Sequence, residues 1–223
     1  MVYTIVVHLY AKEGKEVEEK LRNKLIEASQ VYSKDIETIG WHVMQDHQDP
    51  RKWCIVERYE HESSQKYHLE NPYWKTFDPY VIPLLDKPMD LRRFNELDTS
   101  KPVHVDLPRT SSPNSSKMVY TLVVHLHSKE GKDIEEKIHN KLVEASQTYM
   151  KDAEVIGWHV MQDHVDTRKW TIVERYERES SLKIHQANPY YAEFGAYMGP
   201  LLDQPLEIYQ FNELDTSKPV HVE

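Results

Sequence analysis

The sequence predicts an α+β fold, a domain of about a hundred residues with the order β-α-β-β-α-β, present twice in one chain of 223 residues. Three observations carry this. Residues 1–105 and 118–222 align without a gap at a constant offset of 117, and roughly two thirds of the aligned positions are identical. Within each copy, β-branched and aromatic runs of strand length alternate with segments whose apolar residues recur every three or four positions. The join, Asp106 to Lys117, reads DLPRTSSPNSSK, which is Ser- and Pro-rich and nearly free of apolar residues, so it is a linker. The expected organisation is a domain at 1–105, a linker at 106–117 and a second domain at 118–223.

The elements follow in order in the first copy. Val2–Tyr10 is β-branched and aromatic, a strand. Gly14 marks a turn, and Lys15–Lys34 reads as a helix, because Val17, Leu21, Leu25, Ala28 and Tyr32 make one buried stripe. The acidic run Glu16–Glu19 is the solvated face of that helix. Ile39–His47 is a second strand, Asp49-Pro50 a turn, and Trp53–Glu60 a third strand. Ser63–Glu70 is a short helix with a serine N-cap candidate. Asn71-Pro72 ends it, since a residue before proline is pushed away from helical angles. Tyr73–Leu85 gives a second helical piece ending near Pro83. Pro88–Leu97 is a fourth strand, and Val103–Val105 adds a short terminal one. The second copy repeats the order: IGWHVMQDH returns unchanged at 156–164, and FNELDTSKPVHV returns verbatim.

This is the ferredoxin-like split βαβ arrangement, with both helices on one face of an antiparallel sheet. The other face of the first strand, with Val2, Thr4, Val6, His8 and Tyr10, is not polar enough to meet water. The second copy is the expected cover. A linker of this length spans about 20 Å on average and about 40 Å at full stretch, enough for the two sheets to meet as an intrachain pseudo-dimer. Further homo-oligomerisation is left open.

Composition limits the partners. The formal net charge of −9 argues against nucleic acid and against an anionic membrane. The one cysteine, Cys54, has Thr171 as its counterpart, so there is no disulfide framework and a reducing compartment is favoured. No apolar run reaches the length of a membrane span. The start MVYTIVVHLYAKEGK reads as a strand and a turn, not a signal peptide. Cytoplasmic localisation is the default, and export by an unconventional route would leave no mark.

The strand IVERYE, then a helix carrying His68, then Asn71-Pro72-Tyr73 and Phe77, resembles the antibiotic biosynthesis monooxygenase family of dimeric α/β barrels. The matching residues are Glu57, His68, Pro72, Tyr73 and Phe77, and in the second copy Glu174, His185, Pro189, Tyr190 and Phe194. The resemblance implies a fused dimer with a small cavity between each sheet and its helices. It implies a monooxygenase without cofactor, in which the anion of an acidic phenol or enol itself reduces O2. The expected substrate is a small hydrophobic molecule with an acidic group, such as an aromatic polyketide or an oxidised fatty acid. Relatives of this fold degrade haem or modify signal molecules. A non-enzymatic ligand-binding or protective barrel protein is therefore the alternative reading.

The motifs agree with chemistry that needs no cofactor. No Gly-rich dinucleotide or phosphate cradle is present, although flavin held without one stays open. There is no nucleophile elbow, and no cysteine recurs. A metal is not expected: His42 and His47 fall on opposite strand faces, and His61 becomes Arg178. His68 and His185, at a helix end, are the expected catalytic pair, as proton carriers or as anion holders. The helix C-terminus favours their charged form. A capping histidine is the plain alternative. Trp41, Trp158, Trp53 and Trp170 are candidates for the substrate pocket, or plain core. Asn71, Asn188, Tyr73 and Tyr190 are candidate donors to an oxygen anion, or shape a turn. His8, His125, His42 and His159 need a hydrogen-bond partner, most simply a structural one. The copies differ most at 74–76, 81–82 and 92–93, where the resemblance places a cavity wall.

Overall fold

The computed structural model describes residues 1–100 and 118–222. The 106–117 linker and the strand expected at Val103–Val105 lie outside them. All eight described strands join one closed barrel in the order β1-β3-β2-β8-β5-β7-β6-β4.

The chain forms two compact units, Met1–Arg93 with Phe211–Glu223, and Phe94–Gln210. The first contains β1 (Tyr3–Tyr10), α1 (Lys15–Tyr32), β2 (Thr38–Asp46), β3 (Lys52–Tyr59), α2 (Gln65–Glu70) and α3 (Trp74–Val81), followed by a 3₁₀ turn, Ile82–Leu84. β4 (Asp90–Glu96) runs from it into the second unit. β3 lies between β1 and β2, antiparallel to both. Tyr3, Ile5, Val7 and Leu9 point to the helix side and form one core with Leu21, Leu25, Tyr32, Trp41, Trp53 and Phe77. The outer edge of β2 is paired by the last strand of the chain, Met44 opposite Glu213 and Asp46 opposite Phe211.

The second unit repeats this with β5 (Tyr120–His127), α4 (Lys132–Tyr149), β6 (Val155–Asp163), β7 (Lys169–Tyr176), α5 (Leu182–Ala187) and α6 (Pro189–Met198), a 3₁₀ turn at Gly199–Leu201, and β8 (Glu207–Glu213), whose last three residues belong to the first unit. Its β6 edge is paired by Phe94–Glu96 of β4. Each repeat thus lends the end of its fourth strand to the unit built by the other.

Local chemistry explains the joints. Gly14 and Gly131 precede α1 and α4 at φ 125° and 128°, a region that L side chains avoid. Ser29 and Ser146 donate from inside the helices to the Trp41 and Trp158 carbonyls at 2.7 and 2.8 Å, which fixes each helix against its strand. The serine N-cap expected for the short helix is not made. Ser64 is itself helical and caps no backbone N–H of α2; its oxygen instead accepts the His61 backbone N–H at 3.2 Å, at the start of the preceding 3₁₀ turn. Its hydroxyl donates to Glu37 at 2.6 Å, as Ser181 does to Glu154, and both glutamates sit at positive φ before β2 and β6. The Ser64 hydroxyl thus ties the positive-φ turn at Glu37 to the start of the 3₁₀ turn instead of capping α2.

Candidate active site

In the second unit a cavity of about 580 Å³ opens between the strands β5–β7 and the helices α4, α5 and α6. Its walls are largely apolar, with Leu122, Val124, Trp158, Ile172, Phe194 and Met198 among them. Set into these walls are Glu174, His185 and Tyr149. Register explains the first: Trp170, Ile172, Glu174 and Tyr176 alternate onto the helix side of β7, with Leu122 and Trp158 opposite Glu174 on the neighbouring strands. The carboxylate is 6 % exposed. Burial pushes its pKa up to about 7, while the Tyr176 hydroxyl at 2.6 Å and the Trp158 indole N–H pull it back down.

His185 Nε2 stands 4.0 Å from Glu174 Oε2, and its Nδ1 stands 3.5 Å from Asp152 Oδ2. Asn188 Nδ2 donates to the other Asp152 oxygen at 2.7 Å. The Tyr149 ring packs 4.2 Å from the imidazole. Its hydroxyl is buried without a hydrogen-bond partner among the described residues. Burial, then Tyr190 and nearby carboxylates, push its pKa up, so it stays a donor.

The first unit has the same constellation. Glu57 is pushed up to about 7 by burial, and Tyr59 donates to it at 2.7 Å. His68 Nδ1 is 3.7 Å from Asp35 Oδ2, Asn71 Nδ2 donates to the other Asp35 oxygen at 2.6 Å, and the His68 ring lies 4.1 Å from that of Tyr32.

The expectation of a helix-end imidazolium is corrected. His68 and His185 are 3 % and 4 % exposed. Desolvation lowers the pKa of His68 to about 4 and lowers that of His185 against the opposing pull of Asp152. The helices that carry them have six residues each. Their weak dipoles lose to burial.

The other sequence candidates separate. Trp158 lines the cavity, and Trp41 lies in the core 6.4 Å from the His68 ring. Trp53 and Trp170 are not brought to the histidines. Trp53 carries the Arg22 guanidinium on its ring, and Trp170 lines a shallow depression with Lys132 and His139. Asn71 and Asn188 position the aspartates and also accept the Tyr73 and Tyr190 backbone N–H groups. Tyr73 donates to Glu27 beneath Lys24, and Tyr190 stacks under Lys141 behind Tyr149. His125 has the structural partner expected of it, Thr171 at 2.7 Å.

Sequence reasoning marked Glu174 only as a residue carrying the family resemblance, and gave no chemical role to it, to Tyr149 or to Asp152. A signal existed for the first, a carboxylate among Trp170, Ile172 and Tyr176 on an otherwise apolar strand face. Tyr149 read as one more residue of the apolar helix stripe. Asp152 follows a helix end, where acidic residues are ordinary.

Residues 2–79 match the sequence model of the antibiotic biosynthesis monooxygenase family. The match covers most of the first repeat. The second repeat aligns with the first without a gap and repeats its order of elements. No curated protein matches the sequence. Two solved structures of provisionally named monooxygenases are similar. One, from Fusobacterium nucleatum, has 12 % identity and TM-score 0.78 over 96 % of this chain and 93 % of its own. The other, from Lactobacillus acidophilus, has 11 % identity and TM-score 0.71 over 95 % and 93 %. An anthrone oxidase-like protein aligns at TM-score 0.65 and 7 % identity, over 99 % of this chain and 96 % of its own. At these identities the likeness is one of fold, and it extends over nearly the whole of each chain. Among the described residues no three His, Cys, Asp or Glu are grouped to hold a metal ion, and no helix is long and apolar enough to cross a membrane.

Proposed function

We propose that the chain is a monooxygenase acting without a cofactor on a small, apolar, weakly acidic molecule bound in the second repeat, with O2 as the oxidant. The observation that carries this reading is the Glu174 carboxylate, set in an apolar cavity with its pKa raised to about 7. A base poised near neutrality suits removal of a proton from an activated carbon or a phenol.

The chemistry balances with substrate and O2 alone. Glu174 takes a proton from an activated CH2 group. The carbanion reduces O2 and bonds to it, and the proton returns to the outer peroxide oxygen. Loss of the second C–H proton breaks the O–O bond, leaving a carbonyl and one water. Tyr149, a protonated and unpartnered donor, would stabilise negative charge on the substrate oxygen. His185 stands between Glu174 and Asp152, 4.0 and 3.5 Å from their carboxylates, and would carry a proton between them once bound substrate or water bridges those gaps. A single cysteine fits a cytoplasmic setting.

Anthrone is a suitable probe, a tricyclic carbon acid that O2 converts to anthraquinone and water. Chelator-dialysed protein should accelerate this above the spontaneous rate and place one ¹⁸O atom from ¹⁸O2 in the product. Saturable binding without acceleration would mark a carrier and sink the enzymatic reading.

A further inference from the structure

We infer that the two repeats have divided their tasks: the second alone takes the ligand, through a wall opened by Gly195 and Gly199, and takes it as an apolar molecule in uncharged form. The inference rests on the cavity used above, but not on its chemistry.

The wall residues show the difference. Gly195 and Gly199 line the cavity, and a Cβ at either would meet nothing within 4 Å. The first repeat has Asp78 and Ile82 there. Asp78 is half-buried: desolvation raises its pKa, and its charge acts on the Tyr32 hydroxyl, the counterpart of Tyr149. A carboxylate therefore faces that site from a position where the second repeat has no side chain. The aromatic wall closes with it. Phe77 and Leu85 are buried in the first core, whereas Phe194 and Leu202 are only partly buried and line the cavity. Trp74 stacks on Phe77, while its replacement Tyr191 is 44 % exposed.

The charge of the ligand follows from the lining. It contains the carboxylates of Glu174 and Asp203 and no lysine or arginine. The one imidazole there, His185, is held toward its neutral form by burial. An anion would lose its water and gain no cation. A neutral weak acid enters without that cost.

The test uses the full chain without oxygen, so that binding is read apart from turnover. 9-Hydroxymethylanthracene is the neutral probe and 9-anthroate its anionic counterpart, followed by fluorescence and calorimetry. The wild type should bind one neutral molecule per chain, and the anion at least about tenfold more weakly. Gly195→Asp and Gly199→Ile, each checked by circular dichroism, should each weaken binding tenfold or more. The double variant Asp78→Gly/Ile82→Gly should gain a second site. Two equivalent sites in the wild type, a single site indifferent to both glycine substitutions, no second site in the opened variant, equal affinity for the anion, or no binding at probe saturation would each overturn the inference. Anthrone turnover without this pattern would leave the monooxygenase reading standing and remove only the division of tasks.

Discussion

Replacing Glu174 by Gln should make the protein more stable and less active, with both effects set by pH. Burial raises this carboxyl from 4.5 to about 7, which corresponds to on the order of 3 kcal/mol against its charged form. The folded-state pKa lies above the unfolded one. The stabilising contribution of the group is therefore complete below about pH 4.5 and is lost as pH rises through about 7. At pH 8.5 the wild type carries the whole penalty of a buried charge. Gln has nearly the same shape, and its amide oxygen can still accept from Tyr176, which donates at 2.6 Å. Urea unfolding at pH 8.5 should show a gain of up to about 3 kcal/mol for the variant, and at pH 5 a gain below about 1 kcal/mol. Turnover of anthrone should fall by about 10²–10⁴-fold, the usual contribution of a general base. A variant no more stable than the wild type at pH 8.5, or equally stabilised at both pH values, would refute the raised pKa and with it the poised base.

Other consequences follow from the same geometry. kcat/KM should rise with pH through about 7 as Glu174 ionises, and a profile flat from pH 5.5 to 8.5 would exclude it as the base. Tyr176→Phe removes a hydroxyl that lowers that pKa, so the rising limb should move to higher pH; a shift the other way would contradict the assignment. His185→Ala should cut turnover by about 10²-fold or more while the fold survives, as read by single-turnover kinetics and circular dichroism. A fragment of residues 1–105 lacks the strand end that pairs β2, so ultracentrifugation should find it dimeric; a stable monomer at high concentration would refute the need for that edge to be covered.

The order of elements was legible because each has a periodic signature: the Leu21–Leu25–Ala28–Tyr32 stripe for α1, and alternation in IVERYE for β3. The gapless repeat made the duplication plain, and an apolar second face on β1 called for the closed barrel that forms. The strand exchange was not legible. FNELDTS occurs in both repeats, so nothing local says whether Phe94–Glu96 and Phe211–Glu213 pair with their own repeat or the other.

The sequence by itself determined the residue types that could meet: a glutamate on the apolar side of β7, a histidine before Asn-Pro-Tyr, and glycines at 195 and 199 where the first repeat has Asp78 and Ile82. Only the tertiary structure decided their states. Whether His185 is charged depends on how much water reaches it, and burial outweighs the end of a six-residue helix. Whether Asn188 faces a ligand depends on Asp152, thirty-six positions earlier, which takes its amide instead. Whether Glu174 is an ordinary carboxylate or a base near neutrality depends on desolvation by β5, β6 and the helices above them. Spacing along the chain fixes which face a side chain points to; its pKa and its partner are set by atoms distant in sequence, through a dielectric and a packing that exist only once the chain has folded.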